Sequence, residues 1–285
     1  MNEIQSKVLI VKPTISMLGN TGTDEEITEE VHDREHMDTH AGRYVKNLYP
    51  AAYLRPVQKV AREARRYHKT QTVCSSFGDI LPTVLFEAYQ LRINGFIDSF
   101  NDAARVFHDQ YDDILAEARR IHNGQFKPEF YPAKHLVREQ FRFALFTAPM
   151  PRSGDVVLDF LTEDRLIALR QQLDGEAQRA GEVAGQQVMA RVLSRVAKIC
   201  ETLTDPEAVF RDSLIDNLRE VLEIAPALNI AGNPDVSRLV TECRDKLLKA
   251  PDTLREVSAV RELTAAHAKN IALRFGQMGG RKLAA

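Results

Sequence analysis

The sequence predicts a mainly α protein of the α+β class, with long antiparallel helices and a small antiparallel β-sheet. Three observations predict it. Ile93, Phe96, Phe100, Ala103, Phe107, Tyr111, Ile114, Ala118 and Ile121 alternate spacings of three and four, an apolar seam of coiled-coil type. A second line runs through Leu166, Leu169, Leu173, Ala177, Ala180 and Ala184, then Val188, Val192, Val196, Ile199 and Leu203. Between them, Phe141, Phe143 and Leu145 alternate with Arg142, Ala144 and Phe146, the period of two that marks a strand.

In chain order, residues 8–11 are a β-branched run closed by Pro13, which predicts a strand at a sheet edge, where a missing N–H does least harm. Leu18-Gly19-Asn20-Thr21-Gly22 reads as a turn, and Thr23, with Glu26 three residues on, as the cap of a helix. Residues 24–38 carry eight acidic side chains against Arg34, a local charge of -7. Tyr49-Pro50 separates this segment from a basic helix over 54–69, with Pro56 in its first turn. Residues 70–77 look extended. Pro82 then opens a helix that runs to His122, about 60 Å at roughly 1.5 Å per residue. A loop and a short helix near 134–139 lead to the strand at 141–148, and residues 155–161 are expected to be its return strand. A lone hairpin is marginal in water, and 8–11 is the candidate third strand.

Thr162 caps a second long helix, from Glu163 to about Leu203, whose small residues Gly175, Gly181 and Gly185 allow close approach of another helix. Thr204-Asp205-Pro206 stops it. A helix with Phe210, Leu214, Leu218 and Val221 on its core face follows, ended by Pro226. Asn233-Pro234 and Ala250-Pro251 open two more, the last reaching Gly276. The composition break at the strand pair predicts an N-terminal α+β region over 1–161 and a C-terminal helical region over 162–285.

The net charge of -2 excludes wholesale coating of a nucleic acid, so any such contact has to be local. Cys74, Cys200 and Cys243 are far apart and odd in number, which suits reduced thiols. No stretch has the apolar length of a membrane span or a signal peptide, so the expected location is the cytoplasm, the host's if the chain is viral.

The strongest functional feature is the basic helix. Arg55, Lys59, Arg62, Arg66 and Lys69 recur at spacings of four, three, four and three, which puts them on one stripe. With Arg65 and against Glu63, the local charge is +5. Rows of Lys and Arg attract phosphate backbones, and Tyr67 and His68 at the stripe's end are the candidates to stack on exposed bases. The same stripe also fits a solvated face, or one salt-bridged to the acidic segment at 24–38. His32, His36 and His40 lie four apart, a spacing that chelates zinc from one helix, although a solvated polar face explains them equally well. No nucleophile elbow, P-loop or dinucleotide fingerprint occurs, so no enzyme class and no cofactor is expected.

ISMLGNTGTD (15–24), the Arg/Lys helix, LPTVLFEAYQL (81–91), the Phe96/Phe100/Phe107/Tyr111 seam and FRFALFTAPMP (141–151) together resemble an uncharacterised family of phage and bacterial proteins often encoded near MoxR-type AAA+ ATPases. The resemblance implies a role in phage DNA metabolism or as an ATPase adaptor, and carries no catalytic residue. The expected function is therefore non-enzymatic nucleic-acid binding by a self-associating protein, in phage DNA replication, recombination or packaging. Single-stranded DNA ranks first as partner, held by Arg55, Lys59, Arg62, Arg65, Arg66, Tyr67 and Lys69. The alternative is a structural or adaptor protein that binds a AAA+ ATPase or another protein through its long helices.

Overall fold

A computed structural model describes residues 3–156, 160–205, 207, 208 and 210–280. A short helix α1 (Glu3–Lys7) leads into strand β1 (Val8–Ser16). Strands β2 (Thr21–Thr23) and β3 (Val45–Asn47) pair antiparallel around helix α2 (Glu25–Glu35). Helix α3 (Ala51–Gln71) precedes a tight hairpin of β4 (Val73–Ser75) and β5 (Gly78–Pro82). Helices α4 (Phe86–Asp109) and α5 (Tyr111–His122) come next, then α6 (Lys134–Val137) and β6 (Arg142–Pro149). The remaining elements are helical: α7 (Glu163–Thr204), α8 (Ser213–Leu228), α9 (Pro234–Leu247), α10 (Pro251–Glu256) and α11 (Ser258–Gly280). The protein is thus mainly α with a small antiparallel sheet, in the strand order β4-β5-β1-β6.

Several local expectations are corrected. β1 runs through Pro13 and lies inside the sheet rather than at its edge. Its pairing with β5 spans only Val8 to Ile10, so the missing N–H of Pro13 falls beyond that ladder. Thr23 belongs to β2, and Asp24 is the cap of α2. The helix expected over 82–122 is broken at Gln110, between α4 and α5. α3 starts at Ala51 and α8 passes Pro226, so both prolines lie inside helices. Val257 separates α10 from α11. Of the return strand expected at 155–161, Asp155 lies in a 3-10 turn and residues 157–159 fall outside the described residues.

The chain forms two compact units. The first comprises Met1–Lys12, His68–Tyr89 and Thr147–Ala285, the second Pro13–Tyr67 and Gln90–Phe146. This division differs from a single cut near residue 161, because both units draw on the first half of the chain.

In the first unit α7 is the axis. Ala177, Ala180, Ala184, Val188, Val192, Val196 and Ile199 are buried along it, and α8, α9 and α11 pack around it. The small middle of α7 permits a close approach. A Cβ at Gly181 would lie 2.6 Å from Ile4 Cδ1 and 3.1 Å from the Ala231 Cβ, whereas one at Gly175 would meet nothing nearer than Arg179 Nη2 at 3.9 Å. Ala gains about 1 kcal/mol over Gly inside a helix, and overpacking costs about 1–3 kcal/mol. Gly175→Ala is therefore expected to raise the midpoint of denaturant unfolding and Gly181→Ala to lower or fail to raise it. Equal gains at both positions would refute this close packing.

Side chains also cover backbone groups that secondary structure leaves unpaired. Pro226 has no N–H for the Leu222 carbonyl, and Arg244 of α9 donates to that oxygen at 2.7 Å. Arg244→Met is expected to cost about 1–3 kcal/mol of stability, the penalty of a buried polar group left alone. A loss no larger than that of a typical surface substitution in thermal unfolding would contradict this role. At the end of the sheet, Gln187 of α7 donates to the Cys74 carbonyl at 2.7 Å and accepts from its N–H at 3.0 Å. Arg191, one turn on, donates to the Thr72 carbonyl at 2.7 Å. A bare strand edge is thereby closed by side chains.

The second unit is built on aromatic packing. The seam of α4 and α5 supplies Ile93, Phe96, Phe100, Phe107, Tyr111, Ile114 and Ala118, all buried, while Ile121 is exposed. Tyr49 meets Phe107 at 5.7 Å and Tyr131 at 5.4 Å, and Phe107 meets Phe141 at 5.4 Å, each edge to face. Beside them lies a buried charge cluster. Asp24, fully buried, accepts from Lys46 Nζ at 2.6 Å and from Lys127 Nζ at 2.9 Å. Lys46 also donates to the Gln125 carbonyl at 2.8 Å and sits over the Phe130 ring, and Lys127 reaches Glu26 at 2.8 Å. The two ammonium groups, Lys127 first, hold the Asp24 carboxyl down at about 2, below its usual value of 3.8, against the opposing effect of burial.

Candidate nucleic-acid interface

Helix α3 has a sharply divided surface. Leu54, Val57, Ala61 and Ala64 are buried, and Val60 is half-buried. Arg55, Lys59, Arg62, Arg65, Arg66 and Lys69 are exposed. The apolar positions recur at three and four, so packing this face forces the cations outward. From Arg55 to Lys69 the ridge rises about 21 Å. All but Lys69 belong to the second unit; Lys69 lies on the same helix, two residues past the division at Tyr67.

What surrounds these charges decides whether they can meet an anion. Some exposed cations of this unit have local partners, Arg34 with Glu35, Arg105 with Asp102, Arg120 with Glu117 and Lys134 with Asp112, whereas Arg43, Arg92, Arg138 and Arg142 form no ion pair among the described residues. Among the described residues, no carboxylate forms an ion pair with Arg55, Lys59, Arg62, Arg66 or Lys69. Arg65 donates to the Ile15 carbonyl at 3.3 Å, which anchors its side chain without neutralising it. The acidic segment at 24–38 does not screen the ridge through ion pairs, because its paired carboxylates Asp24 and Glu26 serve Lys46 and Lys127, and Glu35 serves Arg34.

The two rings expected to stack on bases are placed otherwise. Tyr67 is half-buried, its ring centroid 5.9 Å from that of Phe96, and burial pushes its hydroxyl up from the usual value. His68 is buried; its ring hydrogen-bonds the Tyr89 hydroxyl at 2.7 Å and the Asp79 carboxylate at 3.0 Å. The i, i+3 and i+4 pattern places both toward the packed side of the helix, which the count of basic residues around them obscured.

The histidine trio does not share a helical face. His32 is buried and donates from Nε2 to the Gly42 carbonyl at 3.0 Å. His36 is the left-handed residue that ends α2, and His40 lies beyond the helix, its N–H bound to the Asp38 side chain at 2.8 Å. Among the described residues, no three His, Cys, Asp or Glu side chains gather as a metal site. Nor is any described helix long and apolar enough to cross a membrane. No family model, curated protein or solved structure matches the chain.

Proposed function

We propose that this is a non-enzymatic nucleic-acid-binding protein that holds single-stranded DNA along the exposed ridge of α3, in phage DNA replication, recombination or packaging. The observation that carries the reading is the row of five exposed cations on one side of one helix that have no ion-pair partner among the described residues. Each neutralised phosphate releases condensed counterions, so such a row favours a phosphate polymer over a single small anion. The cations advance along the axis by about 4.5 or 6 Å per step. An extended strand can follow a straight row by adjusting its torsions, whereas the phosphates of a duplex curve away around its axis.

Most of the α4 and α5 seam, and the α7 line from Ala177 to Leu203, is buried within the chain, whereas Ile121 is exposed and Leu166, Leu169 and Leu173 are half-buried. An adaptor role, self-association and a AAA+ ATPase partner draw no support from these seams and are not proposed. Fluorescence anisotropy with a labelled oligothymidylate and a labelled duplex of equal length tests the reading. Tighter binding of the single strand is expected. Binding of neither at low salt would overturn the proposal, and equal or better binding of the duplex would overturn the preference for a single strand.

A further inference from the structure

The buried Phe96 ring of α4 is met by Tyr67 of α3 and by Arg92. The Arg92 guanidinium carbon stands 4.7 Å from the Phe96 ring centroid, and the Tyr67 ring is 5.9 Å from the same Phe96 ring. Tyr67 directly follows Arg66, so the series Arg66, Tyr67, Phe96, Arg92 leads from the ridge of α3 to the surface of α4 within the second unit. The charge of Arg92 acts on the Tyr67 hydroxyl, opposing the upward shift that burial causes there. Arg92 itself is exposed, and among the described residues no carboxylate pairs with it. On the same helix, Arg105 is paired with Asp102 at 3.1 Å.

A guanidinium seated over a ring has lost part of its freedom before a ligand arrives. Its planar, delocalised and weakly hydrated charge suits it to stacking against a nucleobase, which a lysine ammonium cannot match. With Tyr67 and His68 turned inward, the interface has no other stacking group among the residues first expected to form it.

We propose that Arg92 is the base-stacking residue of this interface, with an unpaired base of the bound strand resting on its guanidinium while the α3 ridge holds the phosphates. The inference rests on the single-strand reading above. It predicts that a strand bearing bases binds better than the same backbone without them. The test compares a labelled oligothymidylate with an abasic oligonucleotide of equal length, on the wild-type chain and on Arg92→Lys, at one low salt concentration. The wild type is expected to favour the thymidylate by about tenfold, near the lower range for stacking one base. Arg92→Lys keeps the charge and is expected to keep the salt dependence while the two strands become equal. Equal, salt-sensitive binding of both strands by the wild type would overturn the role of Arg92 and leave the ridge reading standing. So would a preference that survives in a folded Arg92→Lys. Binding of neither strand by the wild type would remove both.

Discussion

Asp24→Asn is expected to lower the stability of the second unit by about 3–5 kcal/mol, the cost of removing one partner from a buried ion pair. Asn is as good a helix cap as Asp, so the cap of α2 survives and the change isolates the charge. Lys46, only 4% exposed in its side chain, is then left with an uncompensated ammonium. Lys127, at 19%, loses less because Glu26 remains beside it. Urea unfolding followed by tyrosine fluorescence measures the loss. Pairing Asp24→Asn with Lys46→Met is expected to recover part of it, because the orphaned charge is gone. A loss below about 1 kcal/mol would mean that the cluster is solvated or dispensable.

The same cluster sets an acid limit. The folded-state value for Asp24 lies at about 2, below its unfolded 3.8, so its contribution is present above the unfolded value and fades as pH falls through the folded one. Wild-type stability is expected to decline between about pH 5 and pH 2 more steeply than that of Asp24→Asn. Parallel curves for the two chains would contradict the assignment.

The second large effect concerns the ridge. Arg55→Glu, Lys59→Glu and Arg62→Glu combined are expected to reduce single-strand affinity by roughly a hundredfold or more at 50 mM salt, because three phosphate contacts are lost and repulsion replaces them. Stability should change little, since exposed positions away from packing usually tolerate substitution within about 0.5 kcal/mol. Reversing Arg34, Arg105 and Arg120 alters the net charge by the same amount. Those residues already meet carboxylates, so that variant is expected to bind nearly as the wild type does. Equal losses in the two triple variants would mean that overall charge, not the ridge, governs binding.

Much of the helical frame was legible because its signals are local. The cap position at Thr162, the unbroken apolar line to Leu203 and the Asn233-Pro234 and Ala250-Pro251 starts locate α7, α9 and α10 closely. The break at Gln110 was not legible. Phe107 and Tyr111 keep the seam's spacing across it, and no Gly or Pro marks the site. The central place of β1 was hidden by Pro13, which signals an edge unless the length of the neighbouring ladder is known. The candidate interface divides in the same way. Five of its cations follow from periodicity, whereas in the buried charge cluster, which is separate from the interface, Asp24 and Lys127 are 103 residues apart and nothing near either in sequence announces the pair. Arg92 was missed for a related reason: its meaning depends on Phe96 and Tyr67 meeting across two helices.

The proposed exchange of counterions for phosphates along the α3 ridge is read most directly by salt. The affinity of the wild-type chain for an oligothymidylate, followed from 50 to 200 mM salt, is expected to fall with a logarithmic slope of about -3.5, that is five phosphates at about 0.7 each, or roughly a hundredfold over the range. A flat line would show that the ridge does not hold a phosphate backbone.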